Sequence, residues 1–111
     1  MQREILVFEK YFLEFFNKLD PKTKEKITYV LDIVKFTSIV PEKFLKHIEG
    51  TDGLYEIRVK VSSNIYRIFC CFDKGNLVIL FNVFQKKDPK TPKNEIELAE
   101  KLKQEYFKTK L

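Results

Sequence analysis

The sequence predicts a small α+β domain in which an N-terminal strand and an αα-hairpin pack on an antiparallel sheet meander, followed by a C-terminal helix. Three observations carry that prediction. Apolar residues recur at helical spacing as far as Phe36, alternate with period two from Leu54 to Phe84, and return to helical spacing after Pro92. A chain of 111 residues with 44% hydrophobic content suits one core, so a single domain over 1–111 is expected.

Arg3 to Phe8 reads as a short strand. Phe8, Tyr11, Phe12, Phe15, Phe16 and Leu19 then follow the i, i+3, i+4, i+7 spacing of one amphipathic helix. Asp20-Pro21 restarts the chain, because Asp caps orphan amides and proline fits the first helical position. The second helix buries Ile27, Val30, Leu31 and Val34, with Tyr29, Ile33 and Phe36 widening the stripe, and the short turn makes the pair an αα-hairpin. Aromatic stripes of this kind are read as core.

Pro41 ends that region, and "EKFLKHIEG" predicts one or two helical turns before the break at Gly50 and "TDG". "LYEIRVKV", "NIYRIFCCF" and "NLVILFNVF" follow as three strands, separated by turns at Ser62-Ser63 and Lys74-Gly75. Thr91-Pro92 repeats the cap-plus-proline signal. Beyond it "KNEIELAEKLKQEYF" is helical, with Ile96, Ala99, Leu102 and Tyr106 on one side.

Two-residue loops in both hairpins pair Val61 with Asn64 and Asp73 with Asn76, and alternation sets the rest. One face then holds Tyr55, Ile57, Val59 and Val61, Tyr66, Ile68, Cys70 and Phe72, and Leu77, Ile79, Phe81 and Val83, all suited to lie against the hairpin. The opposite face carries Glu56, Arg58 and Lys60, then Ile65, Arg67, Phe69 and Cys71, then Val78, Leu80, Asn82 and Phe84. In that register Arg58, Arg67 and Asn82 share one row. Two arginines directly opposite each other need a nearby carboxylate, with Glu56 the first candidate and Glu95 a second, or a bound anion.

The net charge is +5, and its placement matters more than its size. Residues 1–53 hold nine Lys/Arg against nine Asp/Glu, and residues 94–111 hold four against four. Residues 54–93 hold eight against three, the whole excess, which points to an anionic partner with nucleic acid first. Phe84 and Lys86 continue the arginine face, while Lys87, Lys90 and Lys93 reach round from the loop. Guanidinium groups bind phosphate oxygens in pairs, lysines add mobile charge, and Phe84 or Phe69 offers a ring for a base, a combination that suits RNA.

Other chemistries are excluded or weak. With three glycines there is no Walker A loop, dinucleotide fingerprint or EF-hand, so no small-molecule cofactor is expected. His47, the one histidine, has no Cys or His at ligand spacing, so no metal site is expected and a surface or capping role is. Ser62 and Ser63 are turn residues without a base. Cys70 and Cys71 are adjacent and point to opposite faces of a strand, which reads as two reduced thiols in a cytoplasmic protein. Charges at Arg3, Glu4, Glu9 and Lys10 interrupt any signal-peptide or membrane-spanning run.

"GTDGLYEIRV", "YRIFCCF" and "FQKKDPKTPKNEIE", in that order, resemble the signatures of RelE/HigB-type toxins of bacterial type II toxin–antitoxin systems, within the RelE/ParE superfamily. The resemblance covers Leu45 to Ala99, and the preceding hairpin fits that family's small α+β fold. It implies a ribosome-dependent mRNA endonuclease that inhibits translation, acting on mRNA in the decoding site. Its partner would be a cognate antitoxin with a helix-turn-helix domain. Residue by residue it falls on Arg58, Arg67, Lys86, Lys87 and Lys90. The catalytic set it supports is Arg58, Arg67, Lys86 and Lys87, and the reading of the sheet face and its loop adds Lys60, Asn82, Phe84, Lys90 and Lys93 as RNA contacts. One departure is informative: related chains often show histidine where "LFNVF" has Asn82, and asparagine cannot transfer a proton at neutral pH. Two other readings stand beside this one, a ParE-like inhibitor of DNA gyrase without catalysis and an RNA-binding regulatory module.

Overall fold

The computed structural model describes residues 2–110, and the predicted α+β class holds. Strand β1 (Glu4–Val7) leads through helix α1 (Tyr11–Asn17) and helix α2 (Pro21–Phe36) to the short strand β2 (Leu45–His47). The meander follows as β3 (Tyr55–Val61), β4 (Asn64–Asp73) and β5 (Leu77–Lys86), and helix α3 (Lys93–Thr109) ends the domain. The five strands form one sheet in the order β1-β5-β4-β3-β2, in which β1 runs parallel to β5 and the other pairs are antiparallel.

The predicted cap starts α2: Asp20 accepts a bond from the Thr23 amide at 3.3 Å, with Pro21 in the first turn. At its other end the Arg3 guanidinium donates to the carbonyls of Val34, Thr37 and Ser38 at 2.6–2.9 Å, which fixes β1 beside the exit of α2. Thr91 does not cap α3. Pro92 occupies that position with no side-chain cap, and the Glu95 and Ile96 amides bond back to its carbonyl.

Two apolar layers lie on the two faces of the sheet. Phe12, Ile27, Val30 and Val34 of the helical hairpin cover Ile57, Val59, Ile68, Cys70, Val78, Leu80 and Val83. On the other face Ala99, Leu102 and Tyr106 of α3 cover Phe69, Cys71, Ile79, Phe81 and Phe84. Phe8 belongs to this second layer and not to the hairpin stripe: the chain breaks at Glu9, where φ is 63°, and the Phe8 ring meets Tyr106 edge-on at 5.5 Å.

Three further sequence expectations are corrected. "EKFLKHIEG" forms a turn and the strand β2, with Leu45 paired to Ile57, and not a helix. The second hairpin closes with three residues, since Asp73 pairs with Leu77 and both Lys74 and Gly75 have positive φ. Leu77, Ile79 and Phe81 therefore face α3, while Val78 and Leu80 face the hairpin. A bulge then lets Phe81 and Asn82 together oppose Phe69, so Val83 and Phe84 regain their expected faces.

Candidate nucleic-acid interface

The β3–β4 turn is the predicted two-residue one, and Arg58 stands opposite Arg67 as expected. Across β5 the bulge puts Phe84 opposite Arg67, so the row expected to end in Asn82 ends in Phe84. The next row on this face is Lys60, Ile65 and Lys86. Alternation along the strands thus places Arg58, Lys60, Arg67 and Lys86 on one surface beyond the end of α3's cover.

Glu56 binds the arginine pair together. Its Oε2 lies 2.8 Å from Arg58 Nε and 3.4 Å from Arg67 Nε, and its side chain is 8% exposed against 27% and 12% for the arginines. One carboxylate between two guanidiniums leaves the cluster with a positive charge. Arg67 Nε is buried without a hydrogen-bond partner, since Glu56 meets it only as an ion pair. Burial pulls the Arg67 pKa down, Glu56 pulls it back up, and Arg58 lowers it further. The guanidinium is thus charged, poorly hydrated and short of acceptors.

The other expected site residues divide. Lys87, Lys90 and Lys93 are exposed on the segment from the end of β5 to the start of α3, beside Lys86 in sequence. Asn82 is not on the surface: it is 2% exposed, and its Nδ2 donates to the Glu95 carbonyl at 3.1 Å and the Glu95 carboxylate at 3.0 Å. Phe84 is also buried, packed on Phe69 with ring centroids 5.6 Å apart, and neither ring is open to a base. These three residues support the site from beneath.

Sequence reasoning missed the neighbours that α2 and the β2 turn bring in. Arg58, Lys60 and Arg67 line a groove of about 380 Å³ over Val59 and Ile65, and its far wall is Lys26 of α2 with Lys43 and Phe44. Only the packing of α2 against β3 and the turn at 42–44 make them neighbours, and no local motif signals either.

The cysteines and the histidine lie away from this groove. Both cysteines are buried, one in each apolar layer, and burial pushes the Cys71 thiol up to about 11 and Cys70 higher still. His47 is exposed, with Nε2 3.1 Å from the Thr51 carbonyl and its ring against Tyr55. Among the described residues no His, Cys, Asp and Glu side chains gather as a metal site.

The family described as "Phage derived protein Gp49-like (DUF891)" matches residues 14–104, from α1 through most of α3. The chain belongs to the Gp49-like family. Among curated proteins none matches it. A solved structure, the archaeal RelE–RelB complex from Pyrococcus horikoshii OT3, is similar at a TM-score of 0.55 and 18% identity, over 75% of this chain and 93% of that one. This Gp49-like chain therefore has a RelE-like fold, as its three motifs suggested. No helix among its described residues is long and apolar enough to cross a membrane.

Proposed function

We propose that this Gp49-like chain is the toxin of a type II toxin–antitoxin system, a ribosome-dependent mRNA endonuclease acting in the cytoplasm. The observation that carries the reading is the Arg58–Arg67 pair, two partly desolvated guanidiniums facing each other with a single carboxylate between them. Such a pair is suited to a phosphodiester, which offers each guanidinium an oxygen. The RelE-like fold and the three motifs add support. The similar structure is of a complex with RelB, which favours an antitoxin partner here, by resemblance one with a helix-turn-helix domain.

Cleavage proceeds by attack of the 2′-OH on the adjacent phosphorus, giving a 2′,3′-cyclic phosphate and a free 5′-OH, with no metal in the scheme. Arg67, assisted by Arg58, neutralises the pentacovalent phosphate. Lys86 and Lys87 are the candidates for taking the 2′ proton and returning one to the 5′ oxygen, with Lys90 as alternate. Lys60 and Lys93 hold neighbouring phosphates. The ribosome aligns the strand, which supplies much of the positional advantage.

Arg67→Ala tests the assignment. In a ribosome-containing assay it should abolish mRNA cleavage while the circular dichroism spectrum is kept; wild-type-like cutting sinks it. Expressing the wild-type chain alone should stop translation before DNA replication, whereas a gyrase inhibitor stops replication first.

A further inference from the structure

We infer that the groove between β3, α2 and the 42–44 turn seats one unstacked nucleotide of single-stranded RNA, its base on Phe44 and its flanking phosphates on Lys26 and Lys43. This rests on the reading of Arg58 and Arg67 as the phosphate site, because both line the same groove.

The Phe44 carbonyl accepts a bond from the Arg58 amide at 2.8 Å, and the Phe44 amide donates to the Pro41 carbonyl at 2.9 Å. The main chain thus pins Phe44 beside Arg58. β2 pairs with β3 only as far as Ile57, so beyond that point the edge of β3 is left open toward α2 and the groove can pass over it. Phe84 and Phe69, the rings expected from the sequence, are buried, which leaves Phe44, half-buried with one side of its ring against the hairpin layer, as the aromatic residue in the lining.

Five cations line the groove, Lys26, Lys43, Arg58, Lys60 and Arg67; no carboxylate is in the lining, and Glu56, paired with the two arginines, is the one that offsets them. Its remaining lining is Phe44, Val59 and Ile65; Val59 is buried, so the apolar surface open to an occupant is that of the half-buried Phe44 and Ile65. A run of Asp and Glu answers the charge but has no ring to set against Phe44, whereas a nucleotide carries both the charge and the ring. The volume of about 380 Å³ is of the size that takes a small ligand. The Lys43 ammonium now lies 4.9 Å from the Phe44 ring centroid, so it can swing from the ring to a phosphate when a base arrives.

The test uses a 2′-O-methyl single-stranded oligoribonucleotide, which cannot be cut by 2′-OH attack, and fluorescence anisotropy at several salt concentrations. Phe44→Leu keeps the apolar packing and should weaken binding by at least about fivefold, the loss of one stacked base. The double variant Lys26→Gln/Lys43→Gln should make the slope of log affinity against log salt shallower by roughly 1.4, about 0.7 per lost phosphate contact. Thermal melts establish that each variant is folded. If both variants bind like the wild type while Arg58→Ala/Arg67→Ala does not, the groove inference is overturned and the phosphate site stands. If the lysine variant loses affinity but Phe44→Leu does not, the base seat is overturned. If the wild type ignores the oligonucleotide and binds polyglutamate instead, both readings fall.

Discussion

Arg58 and Arg67 face each other across the β3–β4 ladder, and one oxygen of Glu56 lies within 3.4 Å of both. Without that carboxylate two buried or half-buried cations would repel at cross-strand distance. Glu56→Gln should therefore lower stability by about 1–3 kcal/mol, with the glutamine still able to accept from Arg58. Added inorganic phosphate should raise the melting temperature of this variant more than that of the wild type, because the anion takes over the carboxylate's role. Equal responses to phosphate would mean that the pair does not bind anions.

Arginine at position 67 should be irreplaceable by lysine. The side chain is 12% exposed, a setting that favours the weakly hydrated guanidinium over the strongly hydrated ammonium. Lysine also lacks the two parallel N–H groups that meet a phosphate. Arg67→Lys should cut mRNA at least about tenfold more slowly than wild type in the ribosome assay. Wild-type rates would show that a point charge suffices there.

The strands differ in how much of their arrangement local alternation reveals. β3 alternates apolar with charged residues and β4 carries Arg67 between Tyr66 and Ile68, so Arg58 opposite Arg67 was legible once the turn at Ser62-Ser63 was recognised. β5 is apolar on both sides, because the hairpin covers one face and α3 the other, and alternation cannot then tell the faces apart. The three-residue turn moved Leu77, Ile79 and Phe81 to the unexpected face, and the bulge at Phe81–Asn82 moved Val83 and Phe84 back. Two irregularities of one residue cancelled, which is why Lys86 keeps its expected side, while Asn82, inside the bulge, keeps its face but leaves the arginine row and is buried against Glu95 of α3. Phe44, Lys26 and Lys43 were illegible because tertiary packing alone brings them to the arginines.

Asn82 should prove structural. Its amide holds the Glu95 carbonyl and carboxylate, joining β5 to the first turn of α3, while its own Oδ1 is buried without a partner. Asn82→Ala should cost about 1 kcal/mol, the balance between two lost bonds and one relieved acceptor. The salt dependence of RNA binding should be unchanged. A shallower salt slope or a specific loss of RNA affinity would mean that Asn82 meets the ligand after all.

The far end of α3 predicts a pH dependence. Asp73, at the end of β4, accepts a hydrogen bond from the Tyr106 hydroxyl at 2.7 Å and is ion-paired with Lys110. The bond from Lys110 first, and that from Tyr106 next, hold its carboxyl below the ordinary value of 3.8. A carboxylate with a depressed folded pKa stabilises the fold above its unfolded pKa, and that contribution fades as pH falls below about 4. Asp73→Asn should therefore melt below the wild type at pH 7, with the gap closing on acidification. Tyr106 behaves in the opposite sense: burial and then Asp73 raise its phenol from 10.0 to about 12, so its contribution is present below pH 10 and lost toward 12. Because α3 also holds Asn82, loosening this end should increase amide exchange along the helix as far as Glu95. Melting curves of wild type and Asp73→Asn that stay parallel from pH 7 down to about 3 would show that Asp73 carries no such share of the stability.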